Sequence, residues 1–192
     1  MKILAFSDLH EHKPYFDKLK AKAKDVDLIL CAGDMTIFEN NLSKMMKKIA
    51  SLKKEIYLIH GNHEMASHVN KECEKYPNLH FCHKRVFKKK GFSIFGYGGG
   101  GFSYKSKEFE NFINSKKKHL QEKNILITHQ PPYMTNIDVV MEEHAGSKSI
   151  RKFVKFFDLV VSGHLHETAG KKEQMGKTLI INPGPDGRII NF

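Results

Sequence analysis

The chain has 192 residues, 40% hydrophobic and 28% charged, the proportions of one soluble globular domain spanning residues 1–192. No apolar run approaches the ~18 residues of a membrane span. Asp8 interrupts the N-terminal apolar stretch too early for a secretory leader, and three cysteines without a C-x-x-C pair indicate neither a disulfide framework nor a thiolate zinc site.

Residues 3–6 (ILAF) read as a buried strand running into Asp8 and His10, followed by a weak helical stripe of Phe16, Leu19 and Ala23. Residues 28–30 (LIL) form a second strand, which runs into Gly33-Asp34. Leu42, Met45, Met46 and Ile49 then carry the spacing of a helix buried on one face. Residues 56–59 (IYLI) run into Gly61-Asn62-His63-Glu64. Residues 92–97 (FSIFGY) make a further strand, and the glycine run 96–101 lacks the G-K-[ST] of a Walker loop, so it reads as a flexible loop at a site rim. Phe109, Phe112, Ile113 and Leu120 predict a helix. Residues 125–127 (ILI) end at His129, a helix follows on Ile150, Phe153, Val154 and Phe157, and residues 159–161 (LVV) end in S-G-H-L-H with His164 and His166. Residues 179–181 (LII) run into an N-P-G-P turn. Strands alternating with helices predict an α/β domain with largely parallel strands, which periodicity alone arranges as one sheet.

Five predicted strands thus end in Asp, Asn or His, and the carboxyl ends of parallel strands are where open α/β sheets bind ligands. Imidazole has no particular virtue in a turn or cap, so the repetition points to a converging polar cluster. Two carboxylates, an amide and several imidazoles without a thiolate make a mixed N/O set for first-row divalent metals. Seven candidate ligands (Asp8, His10, Asp34, Asn62, His129, His164 and His166) exceed what one tetrahedral ion takes and suit two ions sharing a carboxylate bridge such as Asp34. A Ser-His-Asp enzyme would want a nucleophile elbow that this sequence lacks.

D-x-H (Asp8, His10), G-D (Gly33, Asp34), G-N-H-E (Gly61 to Glu64), a lone strand-end His129 and G-H-x-H (Gly163 to His166) stand in the order of the calcineurin-like metallophosphoesterases, which the chain resembles over residues 8–166. The resemblance implies an α/β fold of four layers, αββα, with two mixed sheets packed as a sandwich between helices. It implies one metal on Asp8, His10, Asp34 and His166 and another on Asp34, Asn62, His129 and His164, with Asp34 bridging. It further implies in-line attack on phosphorus by a metal-bound hydroxide. His63, off the metals, is then the acid for the leaving oxygen and with Asn62 contacts the substrate phosphate. The ion pair is expected among Mn, Ni, Zn and Fe, with Mn favoured.

Departures narrow the branch. G-D-M-T lacks the carboxylate and arginine of the Ser/Thr phosphatases, and the capping domain of the superfamily's repair nucleases is not expected. Residues 146–151 (GSKSIR) and 182–185 (NPGP) are similar to the small phosphodiesterase-like members, so a phosphodiester is favoured over a monoester. A nuclease and a non-catalytic metal-binding scaffold are the alternatives. His12, His144 and Arg151 are weaker substrate-binding candidates. The excess of 32 Lys and Arg over 21 Asp and Glu gives +11 and favours anionic partners. Runs at 88–90 and 116–118 read first as solvated faces, so a phosphorylated small molecule or nucleotide is expected, nucleic acid is permitted but not favoured, and no membrane is called for. Reduced cysteines make a cytoplasmic address the expectation; sequence does not address the oligomer.

Overall fold

A computed structural model describes residues 1–192. The chain runs through β1 (Lys2–Phe6), α1 (Lys13–Lys22), β2 (Leu28–Cys31), α2 (Leu42–Ala50), β3 (Glu55–Leu58), α3 (Ala66–Cys73) and β4 (Leu79–Phe81). It continues through β5 (Arg85–Lys89), β6 (Phe92–Tyr97), α4 (Lys107–Lys116), β7 (Lys123–Thr128), a two-strand ribbon of β8 (Val139–Val140) and β9 (Glu143–His144), and α5 (Lys148–Phe153). Last come β10 (Leu159–Val161), β11 (Lys172–Met175), β12 (Thr178–Ile181) and β13 (Arg188–Asn191).

Two mixed sheets form where periodicity alone drew one. The first has the order β13-β1-β2-β3-β4, parallel except for β13. The second has the order β11-β12-β10-β7-β6-β5, with a parallel centre and antiparallel strands at both edges.

Alternation along each strand sorts side chains between layers. In β1, Leu4 and Phe6 join Ile29, Ile56 and Leu58 under α1, α2 and α3, whereas Ile3 and Ala5 point the other way. There they meet Leu30, Ile94, Ile125, Ile127, Leu159 and Val161 in a cluster of 15 buried residues drawn from both sheets. Phe95, Leu126, Val160 and Ile180 face outward from the second sheet onto Phe109, Phe112, Ile113, Ile150 and Phe153 of α4 and α5. The result is the four-layer αββα sandwich. Each large side chain buried in its middle contributes about 1.5–3 kcal/mol, against about 0–1 kcal/mol for an exposed ion pair such as Lys152–Glu110. The sandwich is therefore held by its apolar layers.

The seven predicted strands and the centres of the four predicted helices are present. The stripe ending at Leu120 overreached: α4 stops at Lys116, a 3₁₀ turn spans Lys117–His119, and Leu120 packs on the outer cluster from beyond it. Because the parallel strands of both sheets carry their carboxyl ends to one rim, the loops after β1, β2, β3, β7 and β10 converge there.

Candidate metal centre

Local backbone geometry aims these loops. Asp8 (φ 54°), His10 (φ 43°), Asp34 (φ 51°) and His164 (φ 71°) all occupy the left-handed region, at about 1–2 kcal/mol for each side-chain-bearing residue. The loops are tied together in compensation. The amides of Asp8 and His10 donate to the Gly33 and Asp34 carbonyls at 3.0 and 3.2 Å, and Gly163 donates to the His129 carbonyl at 2.9 Å. The two carboxylates each accept an amide from another loop: His164 to Asp8 Oδ1 and His63 to Asp34 Oδ1, both at 3.0 Å. Such close approach explains two motif glycines. A Cβ on Gly61 would lie 1.9 Å from Asp34 Oδ1, and one on Gly163 would lie 2.6 Å from Asp8 Oδ2.

Two further side chains lock the arrangement. Buried Glu64 accepts from the amides of Asp34 (3.2 Å), Gly61 (3.0 Å) and Thr36 (2.8 Å) and from the Thr36 hydroxyl (3.0 Å), joining the loops after β2 and β3. Burial raises its pKa above the ordinary glutamate value. Asn182 donates to the Leu165 carbonyl and the Thr168 hydroxyl, both at 2.9 Å, and accepts from Gly184 at 3.0 Å and from the Ser7 hydroxyl at 3.4 Å. The N-P-G-P segment is thus a brace between the loops after β1 and β10 as well as a turn.

All seven candidate ligands and His63 converge. At one end, His10 Nε2 and His166 Nε2 are 3.2 Å apart, with Asp8 Oδ1 3.9 Å from His166. At the other end, His129 Nε2 lies 3.1 Å from Asp34 Oδ2 and 2.9 Å from Asn62 Oδ1, which in turn is 2.8 Å from His164 Nδ1. Three overlapping sets (Asp8 with His10 and His166; Asp8 with Asp34 and His129; His10 with Asp34 and His63) each bring their ligand atoms within 4.8 Å of one another.

The hydrogen bonds show what the cluster asks for. His129 Nδ1–H donates to the Ala32 carbonyl at 2.7 Å, so in the neutral ring the Nε2 lone pair faces two oxygens that also only accept. His10 is oriented in the same way: its Nδ1–H donates to the Thr36 carbonyl at 3.2 Å, which leaves its Nε2 lone pair toward His166 Nε2, a nitrogen that donates or accepts according to its tautomer. Acceptors gathered at this spacing suit a cation among them, either the proton of a charged His129 or a metal ion, and bonds of about 2.0–2.2 Å to one ion place neighbouring ligand atoms at about 3 Å. Burial opposes charge on His129, yet the hydrogen bond and charge of Asp34 raise its pKa; burial likewise works against Asp34, whose pKa is nonetheless lowered by His129 and the His63 amide. Burial and the charge of His129 push His164 down to about 4, and its buried Nε2 has no partner. Thiolates take no part; the set is nitrogen and oxygen, suited to Mn, Fe, Ni or Zn.

His63 shares one of these sets with His10 and Asp34 but makes none of the shortest contacts. Its Nε2 is 3.9 Å from Asp34 Oδ2, its ring meets His10 edge-on at 5.0 Å, and its Nδ1 accepts weakly from the Phe38 amide at 3.4 Å. Among the weaker candidates, His12 lines a cavity beside His10 and His166. His144 Nδ1 is bound to buried Asp138 at 2.7 Å, and Arg151 lies on α5. The glycine loop does reach the rim, where Phe102 rests 4.8 Å from the His164 ring. Phe38, packed 4.6 Å from the His63 ring, was missed at the sequence level. Phe38 and Phe102 are 75% and 65% exposed, so no periodic burial signal could reveal them.

Comparison with known proteins agrees with this architecture. A family model described as calcineurin-like phosphoesterase matches residues 1–168. An uncharacterised protein of Methanocaldococcus jannaschii is 30% identical, covering 99% of this chain and 91% of its own length. A Thermus thermophilus structure superposes with a TM-score of 0.79 at 17% identity, covering 96% of this chain and 90% of the other. A dimetal phosphatase from Danio rerio superposes at 0.65 with 11% identity, covering 94% and 86%; at these identities the two structures speak to fold. With the sandwich, the ordered strand-end motifs and the family match in agreement, the chain belongs to the calcineurin-like phosphoesterases.

Proposed function

We infer that the protein is a dinuclear, metal-dependent phosphoesterase that hydrolyses a phosphodiester in preference to a monoester, with Mn²⁺ the favoured ion. The observation that supports this most is one continuous cluster of nitrogen and oxygen ligand atoms at about the spacing of neighbours on a shared ion: His10 against His166 at one end, and His129 against Asn62 and Asp34 at the other. Asp8, His10, Asp34 and His166 would hold one ion and Asp34, Asn62, His129 and His164 the other, with Asp34 shared. When bound, two divalent ions supply Lewis acidity toward phosphoryl oxygens and a nucleophile near neutral pH.

The chain's own groups do the rest. Asp34 and Asp8 offset the charge of the ions. His129 and His10 present Nε2 because the Ala32 and Thr36 carbonyls hold their other ring nitrogens. His63, 3.9 Å from Asp34 Oδ2 and edge-on to His10, is assigned to face the phosphate and to donate a proton to the leaving oxygen. The reading includes a phosphorylated small-molecule or nucleotide substrate and a cytoplasmic location; no helix is long and apolar enough to cross a membrane.

The test compares metal-depleted protein with protein reloaded with Mn²⁺ on bis(4-nitrophenyl) phosphate and 4-nitrophenyl phosphate, beside a His63→Ala variant. Metal-dependent turnover faster on the diester is expected. His63→Ala should retain both ions and lose ~10²–10⁴-fold in rate on an alkyl leaving group, with a smaller loss on nitrophenolate, which needs little protonation. A His63→Ala protein that sheds an ion, or loses equal rate on both leaving groups, would refute the role assigned to His63.

A further inference from the structure

At the His10–His166 end of the cluster the surface opens into a cavity of about 330 Å³ that has both of those rings in its wall. Tyr15, Ile37 and Pro185 give it aromatic and aliphatic wall, His12 and the Asp8 carboxylate are its other polar members, and none of the 32 Lys and Arg of the chain lines it. That composition decides what the cavity can take. A second phosphate or a nucleic-acid backbone is held by cations, whereas flat apolar walls beside a polar reaction centre suit an uncharged ring. A volume at the lower end of the range for ligand pockets, about 300–1,000 Å³, fits a single ring system.

Tyr15 has neighbours on the protein side: the His12 ring lies tilted by 38° with centroids 4.7 Å apart, and Lys18, itself bound to Asp186 at 2.7 Å, lies 5.6 Å from the centre of the Tyr15 ring. Ile37 is 42% exposed and precedes Phe38, the residue packed on His63. His10, shared between cavity and cluster, touches His63 edge-on. The cavity therefore adjoins the group assigned to the leaving oxygen.

We propose that this cavity is a substrate subsite for an uncharged planar substituent of the phosphoester, an aryl or nucleobase ring, recognised by Tyr15 and Ile37. The inference rests on the phosphoesterase reading for its orientation, but its test does not depend on turnover. Stacking one ring on an aromatic side chain contributes on the order of 1–3 kcal/mol, which is about five- to 150-fold in affinity, with tenfold inside that span.

The probes are phenylphosphonate, methylphosphonate and a nucleoside 5′-phosphonate, none of which can be hydrolysed at its carbon–phosphorus bond. Titrated into Mn²⁺-loaded protein by calorimetry, phenylphosphonate should bind about tenfold tighter than methylphosphonate. In the zinc-loaded protein, which is diamagnetic, it should shift the Ile37 methyl and Tyr15 ring resonances. Ile37→Asp, at a partly exposed position that tolerates a charge, should bring the two affinities within about twofold, as should Tyr15→Ala. Tighter binding of the nucleoside phosphonate than of phenylphosphonate identifies the ring as a nucleobase, and the reverse order identifies it as aryl. Equal affinity for phenyl and methyl probes, or a preference that survives Ile37→Asp, overturns the subsite. Ring-selective binding without hydrolysis of any diester would instead sink the activity and leave the subsite standing.

Discussion

Glu64 carries a structural load that a single-atom change exposes. Glu64→Gln keeps shape and volume but replaces one carboxylate oxygen, each of which accepts two hydrogen bonds, by an NH₂ group that can only donate. The cheaper orientation keeps the oxygen toward the amides of Gly61 and Asp34 and turns the NH₂ toward Thr36, whose hydroxyl can rotate to accept. The Thr36 amide, now 2.8 Å from a carboxylate oxygen, is then left facing a donor. One orphaned buried donor costs about 1–3 kcal/mol, and the two remaining bonds lose their charge assistance. Against this stands the relief of burying a carboxylate near Asp34, whose charge helps raise the Glu64 pKa. A net loss of about 1–3 kcal/mol follows, which at a urea m-value of about 2 kcal/mol/M moves the midpoint down by roughly 0.5–1.5 M. Urea titration of metal-free protein by circular dichroism reads this directly. Glu64→Ala, which removes both acceptor oxygens and all four hydrogen bonds, should fall further. A Glu64→Gln midpoint equal to wild type would refute the reasoning, because it would mean that the loops after β2 and β3 are held without the carboxylate.

Asp34→Asn should weaken both metal sites together, since a neutral amide cannot offset two adjacent dications; two tightly held ions per chain by metal analysis would sink the shared assignment. Gly163→Ala puts a methyl group 2.6 Å from Asp8 Oδ2 and from Ser7 Cβ, so a loss of about 1–3 kcal/mol and weaker metal retention are expected, and an unchanged melting temperature would contradict it. Burial, with Lys84 nearby, pushes His83 down to about 4, and its Nδ1 accepts from the Gly98 amide at 2.9 Å. The unfolded chain takes up that proton near pH 6.5, so stability present above pH 6.5 is lost as pH falls toward 4, by roughly 1–2 kcal/mol given its partial exposure. Urea midpoints at pH 7 and 5 should differ less in His83→Asn, and equal slopes in the two proteins would count against His83.

What was legible in the sequence had a local cause. Strands such as 125–127 and 159–161 are apolar throughout because both faces of their sheet are covered, and their polar ends stand out against that background. The elements that escaped lack it: β5 (RVFKK) is largely exposed, β11 (KEQM) alternates exposed with half-buried positions and has a single apolar residue, and α3 buries only Val69 and Cys73. Division of the strands between two sheets depends on pairing partners far apart in the chain, such as Leu4 with both Ile29 and Ile189, and no local pattern encodes it. The same distinction runs through the site. Asp8, His10, Asp34, Asn62, His129, His164 and His166 announce themselves by chemical type at a strand end. Glu64 and Asn182 act through hydrogen bonds to groups on other loops, so Asn182 could be read only as part of a turn.

The pairing of β1 with β13 has a consequence for how the molecule is assembled. Lys2 sits opposite Asn191 and Leu4 opposite Ile189, so the second strand-neighbour of β1 arrives only after nearly all other segments of the chain. Closing so long a loop is entropically costly and makes such folds slow. Until then β1 presents a bare hydrogen-bonding edge, open to mispairing with another chain. The Ser7 amide also waits, for its partner is the Gly184 carbonyl at 3.2 Å, in the segment just before β13. A chain emerging from the ribosome N-terminus first therefore carries its earliest reactive residues, Asp8 and His10, long before it can hold them still.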